Sequence, residues 1–282
     1  MTNLILDRKN FVESLPTTES TLSAIKTVDL NVTELCNRTC PFCPRYSADV
    51  YPNRKLHMSL DNAFVLGQRL ADINYNNEIQ IGGQGEPLLH PNIVDIVQIL
   101  RQSLPKNLNL HLTTNADRLD TNLLEKLTQA GLNRIYVSLY DSPEQFQKLK
   151  NQLGNNSIEV IYKHFYLPKE MSWGLPHISN RAGLLPSDNG VPQQRCHLPF
   201  YSMSVDWDTS VTLCVHDWNK KFIAGYLNKN SIEEIWLGPK MNDYRKMLID
   251  ERRILQPCNT CNVDGRFYGQ SSFDLFKEKI DG

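Results

Sequence analysis

The chain has 282 residues, 40% of them hydrophobic, enough for one substantial core and a small appendage. With 30 basic and 31 acidic residues its net charge is −1, which gives no electrostatic case for binding nucleic acid or an anionic membrane surface. No apolar run is long enough to span a bilayer and the first residues lack a signal-peptide core, so a cytoplasmic protein is expected, its seven cysteines ligands rather than disulfides. Residues 1–24 read as a short N-terminal extension, too few for a peptide-recognition domain of the winged-helix type. Strand patterns near 26–32, 78–82, 108–114, 134–139 and 158–164 then alternate with helical patterns near 59–73, 91–103, 120–131 and 142–153. This βαβα rhythm predicts an α/β fold with a parallel sheet and right-handed crossovers. The stretch from Leu167 to Pro192 is rich in Pro and Gly and shows no fifth helix, so the repeat is expected to stop at five strands.

The first cysteines follow the first strand directly, in Cys36-Asn37-Arg38-Thr39-Cys40-Pro41-Phe42-Cys43. Three thiolates at this spacing can hold three irons of a cubane and leave the fourth open to bind and reduce a ligand. Pro41 and Pro44 stiffen the loop. The alternative is a structural zinc site with His57 as fourth ligand, although zinc motifs usually pair close-spaced ligands two and two. The second strand ends in Ile81-Gly82-Gly83-Gln84-Gly85-Glu86-Pro87. There glycine lets a ligand approach the backbone, and Glu86 offers a carboxylate that accepts hydrogen bonds. The segments 108–115 and 134–141 each alternate and then turn polar, at Asn115 and Ser138; such residues can also simply cap the next helix.

Together the C-x3-C-x2-C loop and the Gly-x-Gly-Glu-Pro strand end resemble the radical S-adenosylmethionine (SAM) superfamily. The resemblance implies a partial (β/α)5-6 TIM-like barrel over about 25–192. It implies a [4Fe–4S] cluster on Cys36, Cys40 and Cys43, whose open iron chelates SAM. It further implies that Phe42 packs near the adenine, that Gly82, Gly83, Gly85 and Glu86 grip the methionine amino group, and that Asn115 and Ser138 contact ribose or carboxylate. In this family one-electron reduction cleaves SAM and releases a 5′-deoxyadenosyl radical that takes a hydrogen atom from substrate.

The remaining cysteines are Cys196, Cys214, Cys258 and Cys261. Four thiolates can close a second [4Fe–4S] cluster or a zinc tetrahedron. Cys196 precedes a predicted β-hairpin turning at Asp208-Thr209-Ser210, and Cys214 follows it. Ser231-Ile232-Glu233-Glu234 then opens a helix with a capping-box pattern. This order resembles the auxiliary-cluster extension called SPASM, in its short Twitch form, over about 193–265. A tail at 266–282 carries a short amphipathic segment around Phe273–Lys277.

A cluster whose irons are all held by protein cannot chelate substrate, so its expected role is electron transfer. An electron sink near a substrate radical favours net oxidation. The layout resembles the aminocyclitol (2-deoxy-scyllo-inosamine type) dehydrogenases, which implies carbinol oxidation of a small sugar-like molecule with Arg181 at the reacting hydroxyl. Arg181 can equally be structural, bonded to strand-end carbonyls. A reducing donor such as flavodoxin or ferredoxin is implied. Two other functions remain open: a maturase that cross-links or epimerises a peptide, and a non-catalytic iron–sulfur electron carrier. Trp207, Trp218 and Trp236 are expected to pack the extension, and His197 and His216 to support the nearby cysteines. Tyr140, His164 and Trp173 are candidates to face the substrate.

Overall fold

A computed structural model describes residues 4–154, 157–166, 179–187 and 189–281. The chain divides into two compact units. One, the barrel unit, comprises Leu30–Arg38 and Asn53–Ile178; the other, the extension unit, comprises Met1–Asp29, Thr39–Pro52 and Ser179–Gly282.

In the barrel unit the parallel strands β2 (Glu78–Ile81), β3 (Asn109–Thr114), β4 (Arg134–Leu139) and β5 (Glu159–His164) lie side by side in sequence order. The end of β1 (Thr27–Asn31) flanks β2, where the Gly82 amide donates to the Leu30 carbonyl at 2.9 Å. The crossovers are α2 (Leu60–Asp72), α3 (Ile93–Ser103), α4 (Thr121–Gln129) and α5 (Pro143–Leu153), with α2 against α3, α3 against α4 and α4 against α5. Local signals set their starts: the Ser59 and Asp120 side chains accept from the Asn62 and Leu123 amides, and Pro143 opens α5. These helices begin within two residues of where the periodicity places them.

Because strand side chains alternate, the register sorts them onto two faces. Ile79, Ile81, Leu110, Leu112, Ile135, Val137 and Leu139 share one face and are fully buried. Tyr162 and His164 of β5 continue it, and both meet the ring of Phe146 on α5 edge-on, at 5.0 and 5.1 Å. Glu78, Gln80, Asn109, His111, Thr113, Arg134, Tyr136, Ser138, Glu159 and Lys163 share the other, polar face. His164 therefore points toward the helix layer rather than toward substrate, which corrects the sequence expectation. Trp173 lies outside the described residues.

In the extension unit, β6 (Ser202–Asp206), β7 (Ser210–Thr212) and β8 (Ile223–Tyr226) form an antiparallel meander that includes the predicted hairpin. The Ser202 hydroxyl donates to the Asp29 carboxylate on the first half of β1. Of two short helices, α6 (Leu198–Tyr201) leads into β6 and α7 (Ile232–Trp236) carries the capping box at Ser231 and Glu234. Three further helices were not anticipated at their observed extent: α1 (Leu4–Ser14) inside the N-terminal extension, α8 (Pro239–Ile249), and α9 (Gln270–Asp281), longer than the predicted tail segment. The amphipathic stripe of α8 is weak because part of what it buries is polar. Arg245 of α8 is fully buried with its guanidinium 4.4 Å from the Trp236 ring centroid and 3.9 Å from that of Phe276. It donates to the Pro199 and Trp236 carbonyls, and burial pushes it down to about 9.

The face assignment is testable with adjacent residues of β3. Leu112→Ala should cost about 2–5 kcal/mol in denaturant unfolding, while Thr113→Ala on the polar face should cost within about 1 kcal/mol. Equal losses would contradict the sorting.

Candidate functional site

The chemistry-bearing residues of the barrel unit collect at the C-terminal ends of its parallel strands, where α/β folds place ligands. Gly83 has φ 131°, a conformation that favours glycine, and it turns the chain out of β2 with its backbone exposed. At Gly85 a Cβ would overlap the Thr33 carbonyl and lie 2.8 Å from that of Leu35. Only glycine lets this turn pass so close to the residues entering the cysteine loop.

Glu86 follows, 3% exposed. Its Oε1 accepts from Thr114 Oγ1 at 2.6 Å and the Leu88 amide at 3.0 Å, and its Oε2 accepts from the Asn115 amide at 2.8 Å. Burial pushes the carboxyl up to about 7, against the pull of those donors. A carboxylate offers about four acceptor sites, so three donors leave capacity for one more.

Cys36 leaves the strand with its peptide clamped by Asn53, whose Oδ1 accepts from the Cys36 amide at 2.9 Å while its Nδ2 donates to the Cys36 carbonyl at 2.8 Å. Arg38 bridges two carboxylates, donating to Asp117 at 2.5 and 2.6 Å and to Asp141 at 2.7 and 2.9 Å. These bonds hold the Asp141 carboxyl below its usual range. Asn37 donates to Asp117 at 2.6 Å and accepts from Asn115 Nδ2 at 3.0 Å. The loop after β1 is thus pinned to the loops after β3 and β4. Asn115 holds this arrangement together, and Ser138 is buried on the polar face beside Lys163. His57, weighed as a zinc ligand, is within 2.8 Å of Thr33 Oγ1 through Nδ1 and packs edge-on to His90.

Cys40 and Cys43 belong to the extension unit, where the Cys43 amide donates to the Cys40 carbonyl at 3.0 Å and a 3-10 turn follows at Pro44–Tyr46. Phe42 between them is half-buried. Arg45 anchors this segment. It is 4% exposed, donates to the Pro52 carbonyl at 3.1 Å, and lies over Tyr51 at 4.9 Å and Trp218 at 6.0 Å.

The extension unit also brings Cys196, Cys214, Cys258 and Cys261 together, all lining one cavity with Ala182, His216 and Arg253. Burial raises all four thiols, Cys196 to about 11, and any thiolates formed there repel one another. Four mutually repelling thiols at an apolar cavity suit a cationic metal–sulfide core, which deprotonates its ligands on binding. Among the described residues no three such side chains converge on a single-ion site. Gly265 permits this packing, since a Cβ there would overlap Cys196 Sγ. Asn180 and Asn262 exchange backbone–side-chain bonds at 2.8 and 3.2 Å, and Thr260 Oγ1 donates to the Ala182 carbonyl at 2.8 Å.

Arg181 sits on this rim. Its Nη1 is 3.3 Å from His216 Nδ1 and its guanidinium lies 5.8 Å above Trp218, the same indole that Arg45 approaches. Ser179 Oγ is 2.8 Å from the same imidazole nitrogen. Burial and the adjacent guanidinium push His216 down to about 3, so it is neutral and accepts through Nδ1. Arg181 thus contacts the side chains of His216 and Trp218. The Nδ1 of His197 is 3.1 Å from the Tyr268 carbonyl and its ring packs on Phe273. Sequence reading missed Asn53, Arg38, Asp117, Gly265 and Arg253. Arg38 lies inside the cysteine motif, but nothing in the sequence identifies its two partners.

Residues 30–171 match the model of the Radical SAM superfamily. The chain belongs to the radical SAM superfamily. Residues 196–262 match SPASM, an iron–sulfur cluster-binding domain. The S-adenosyl-L-methionine-dependent 2-deoxy-scyllo-inosamine dehydrogenase of Niallia circulans is 28% identical over 249 residues, covering 83% of this chain and 92% of that protein. A probable GTP 3′,8-cyclase of Methanocaldococcus jannaschii is 32% identical over 126 residues, which spans 44% of this chain and 40% of the cyclase. The structure of BtrN in complex with AdoMet and 2-DOIA superposes with TM-score 0.71 at 26% identity, covering 86% of this chain and 98% of that one. The protein is therefore a SAM-dependent iron–sulfur enzyme with a radical SAM α/β fold and a SPASM-type extension, and its cofactors include an auxiliary cluster. Among the described residues, no helix is long and apolar enough to cross a membrane.

Gly85→Ala should force apart the turn that carries Glu86. We expect a loss of about 1–3 kcal/mol or more in thermal unfolding of the cluster-free protein. Unchanged stability would show that the close approach is not built into the fold.

Proposed function

We propose that this enzyme oxidises a hydroxyl-bearing carbon of a small polar, sugar-like molecule to a ketone. The observation that carries this reading is that all four cysteines outside the SAM motif line one cavity. With four protein ligands, that site leaves no place for substrate to chelate and is suited to take up an electron.

Cys36, Cys40 and Cys43 would hold the SAM-binding [4Fe–4S] cluster, and Cys196, Cys214, Cys258 and Cys261 the auxiliary one. When bound, SAM with its cluster supplies hydrogen-atom abstraction and the auxiliary cluster supplies a one-electron acceptor. Glu86 would use its remaining acceptor capacity for the SAM amino group, beside Gly82, Gly83 and Gly85, of which Gly83 is exposed. Phe42 packs the adenine, and Asn115 and Ser138 line the remainder. Arg181 orients the reacting hydroxyl and stabilises negative charge as its proton leaves; a guanidinium with a pKa above about 12 is no base at neutral pH. Its contacts with His216 and Trp218 hold it at the rim of the four-cysteine cavity.

The polar face of the sheet supports a small, hydroxyl-rich substrate. Toward the C-terminal strand ends it carries Thr113, Ser138 and Lys163, the last with its ammonium 4.2 Å from the Tyr136 ring centroid. Such a surface suits hydrogen-bonded recognition of hydroxyl groups better than burial of an apolar side chain. The relative from Niallia circulans, similar over 92% of its own length, is named for oxidation of an aminocyclitol. We further assign the chain to the cytoplasm, with reduced flavodoxin or ferredoxin as donor, and divide it at 1–24, 25–192, 193–265 and 266–282.

Anaerobic reconstitution and reduction with SAM tests the reading. The expected result is 5′-deoxyadenosine release with about eight irons per chain, four per cubane, and a ketone from a polyol or aminocyclitol panel. About four irons with SAM cleavage would remove the electron acceptor and the dehydrogenation with it. A cross-linked or epimerised peptide product would replace the small-molecule substrate, and no cleavage under any reductant would leave an electron carrier.

The Glu86 carboxyl, raised to about 7, gives a pH signature. The amino group of SAM favours the carboxylate, so affinity should be full above pH 7 and fall about tenfold per pH unit below it. Equilibrium binding across pH 5.5–8 (about two units around that value) checks this, and Glu86→Gln should flatten the profile.

A further inference from the structure

Arg253 is a buried cation of the extension unit that has no part in the reaction proposed above. It is 3% exposed and lines the four-cysteine cavity. Its guanidinium donates to four main-chain carbonyls: Gln194 at 3.1 Å, Cys261 at 3.3 Å, Val263 at 2.8 Å and Arg195 at 3.4 Å. These carbonyls neutralise no charge. The acids near it in sequence pair with other guanidinium groups, Glu251 with Arg195, Asp250 with Arg252 and Asp264 with Arg266, although Asp264 also feels the charge of Arg253. A guanidinium taken out of water without an anion is costly, so a counter-charge is expected beside it. The four cysteines are the groups in place, since they line the same cavity as Arg253.

We propose that Arg253 is the resident counter-charge of the auxiliary cluster and raises its reduction potential, making it a better electron acceptor. This rests on the assignment of the four cysteines to that cluster. A cubane with four thiolates carries a net charge of about −2 oxidised and about −3 reduced. A fixed cation at the cavity wall stabilises the reduced form more, because attraction scales with the charge it faces. The same guanidinium bonds the backbone on both sides of the cavity, at Gln194–Arg195 ahead of Cys196 and at Cys261–Val263. It is therefore a positioning residue as well as an electrostatic one, and the two roles separate experimentally.

The test uses the full chain with Cys36, Cys40 and Cys43 replaced by Ala, so that the auxiliary cluster alone is read by EPR-monitored redox titration. About four irons per chain are expected in this background; absence of any cluster there would overturn the underlying assignment rather than the role of Arg253. Arg253→Met should shift the reduction equilibrium about tenfold toward the oxidised form, about 59 mV more negative. Arg253→Lys, which keeps the charge but not the fork, should stay within about threefold of the parent equilibrium, about 28 mV. Loss of the cluster from Arg253→Met while Arg253→Lys remains loaded at the parent potential is the same result in its extreme form. An unchanged potential in Arg253→Met, an equal shift in both variants, or failure of both to load would overturn the proposal and leave Arg253 as a loop staple.

Discussion

Glu86 is buried at the end of β2 with three donors on its carboxylate, and the loops around it are placed by the cost of leaving such a group unmatched. Taking a carboxylate out of water is expensive, and hydrogen bonds repay it only when donors arrive from the right directions. Thr114 and Asn115 deliver theirs from the end of β3, which sets how that strand enters its loop. Asn115 in turn holds Asn37, and Asp117 holds Arg38. The start of the cysteine loop, Cys36 to Arg38, is thereby fixed by polar bonds.

Those loops can be held so closely because the sheet beneath them is rigid. Parallel register places Ile81, Leu112 and Val137 on the buried face and Gln80, Thr113 and Tyr136 on the polar one. One face supplies the burial that stabilises the barrel unit, and the other is free to carry hydrogen-bonding groups. The division also explains why His164 serves packing, whereas His111 belongs to the polar face. The period of two decides this before any side-chain chemistry does.

The extension unit solves a related problem with a different donor set. Four thiols at one cavity repel one another once ionised, so the site makes physical sense only with a cationic core. Gly265 makes room for Cys196, Asn180 and Asn262 join the neighbouring loops, and Arg253 adds a buried positive charge at the cavity wall. His216 stays neutral between Ser179 and Arg181, so the rim is a hydrogen-bonding surface and Arg181 is its cation.

Much of this was legible in the sequence, because ligand chemistry is carried by residue type and spacing. The C-x3-C-x2-C motif, the glycine turn before Glu86, the four remaining cysteines and the βαβα rhythm are local patterns that survive without coordinates. So are the capping serines and the hairpin at Asp208–Ser210. Tertiary structure alone decided which partners those groups acquire. Arg38 meets Asp117 and Asp141 across 79 and 103 residues, Thr114 meets Glu86 across 28, and Arg253 meets Gln194 across 59. Such pairs depend on where strand ends and loops converge, and no periodicity encodes that convergence. α8 escaped sequence reading for the same reason: burying Arg245 is favourable only where Trp236, Phe276 and two free carbonyls surround it.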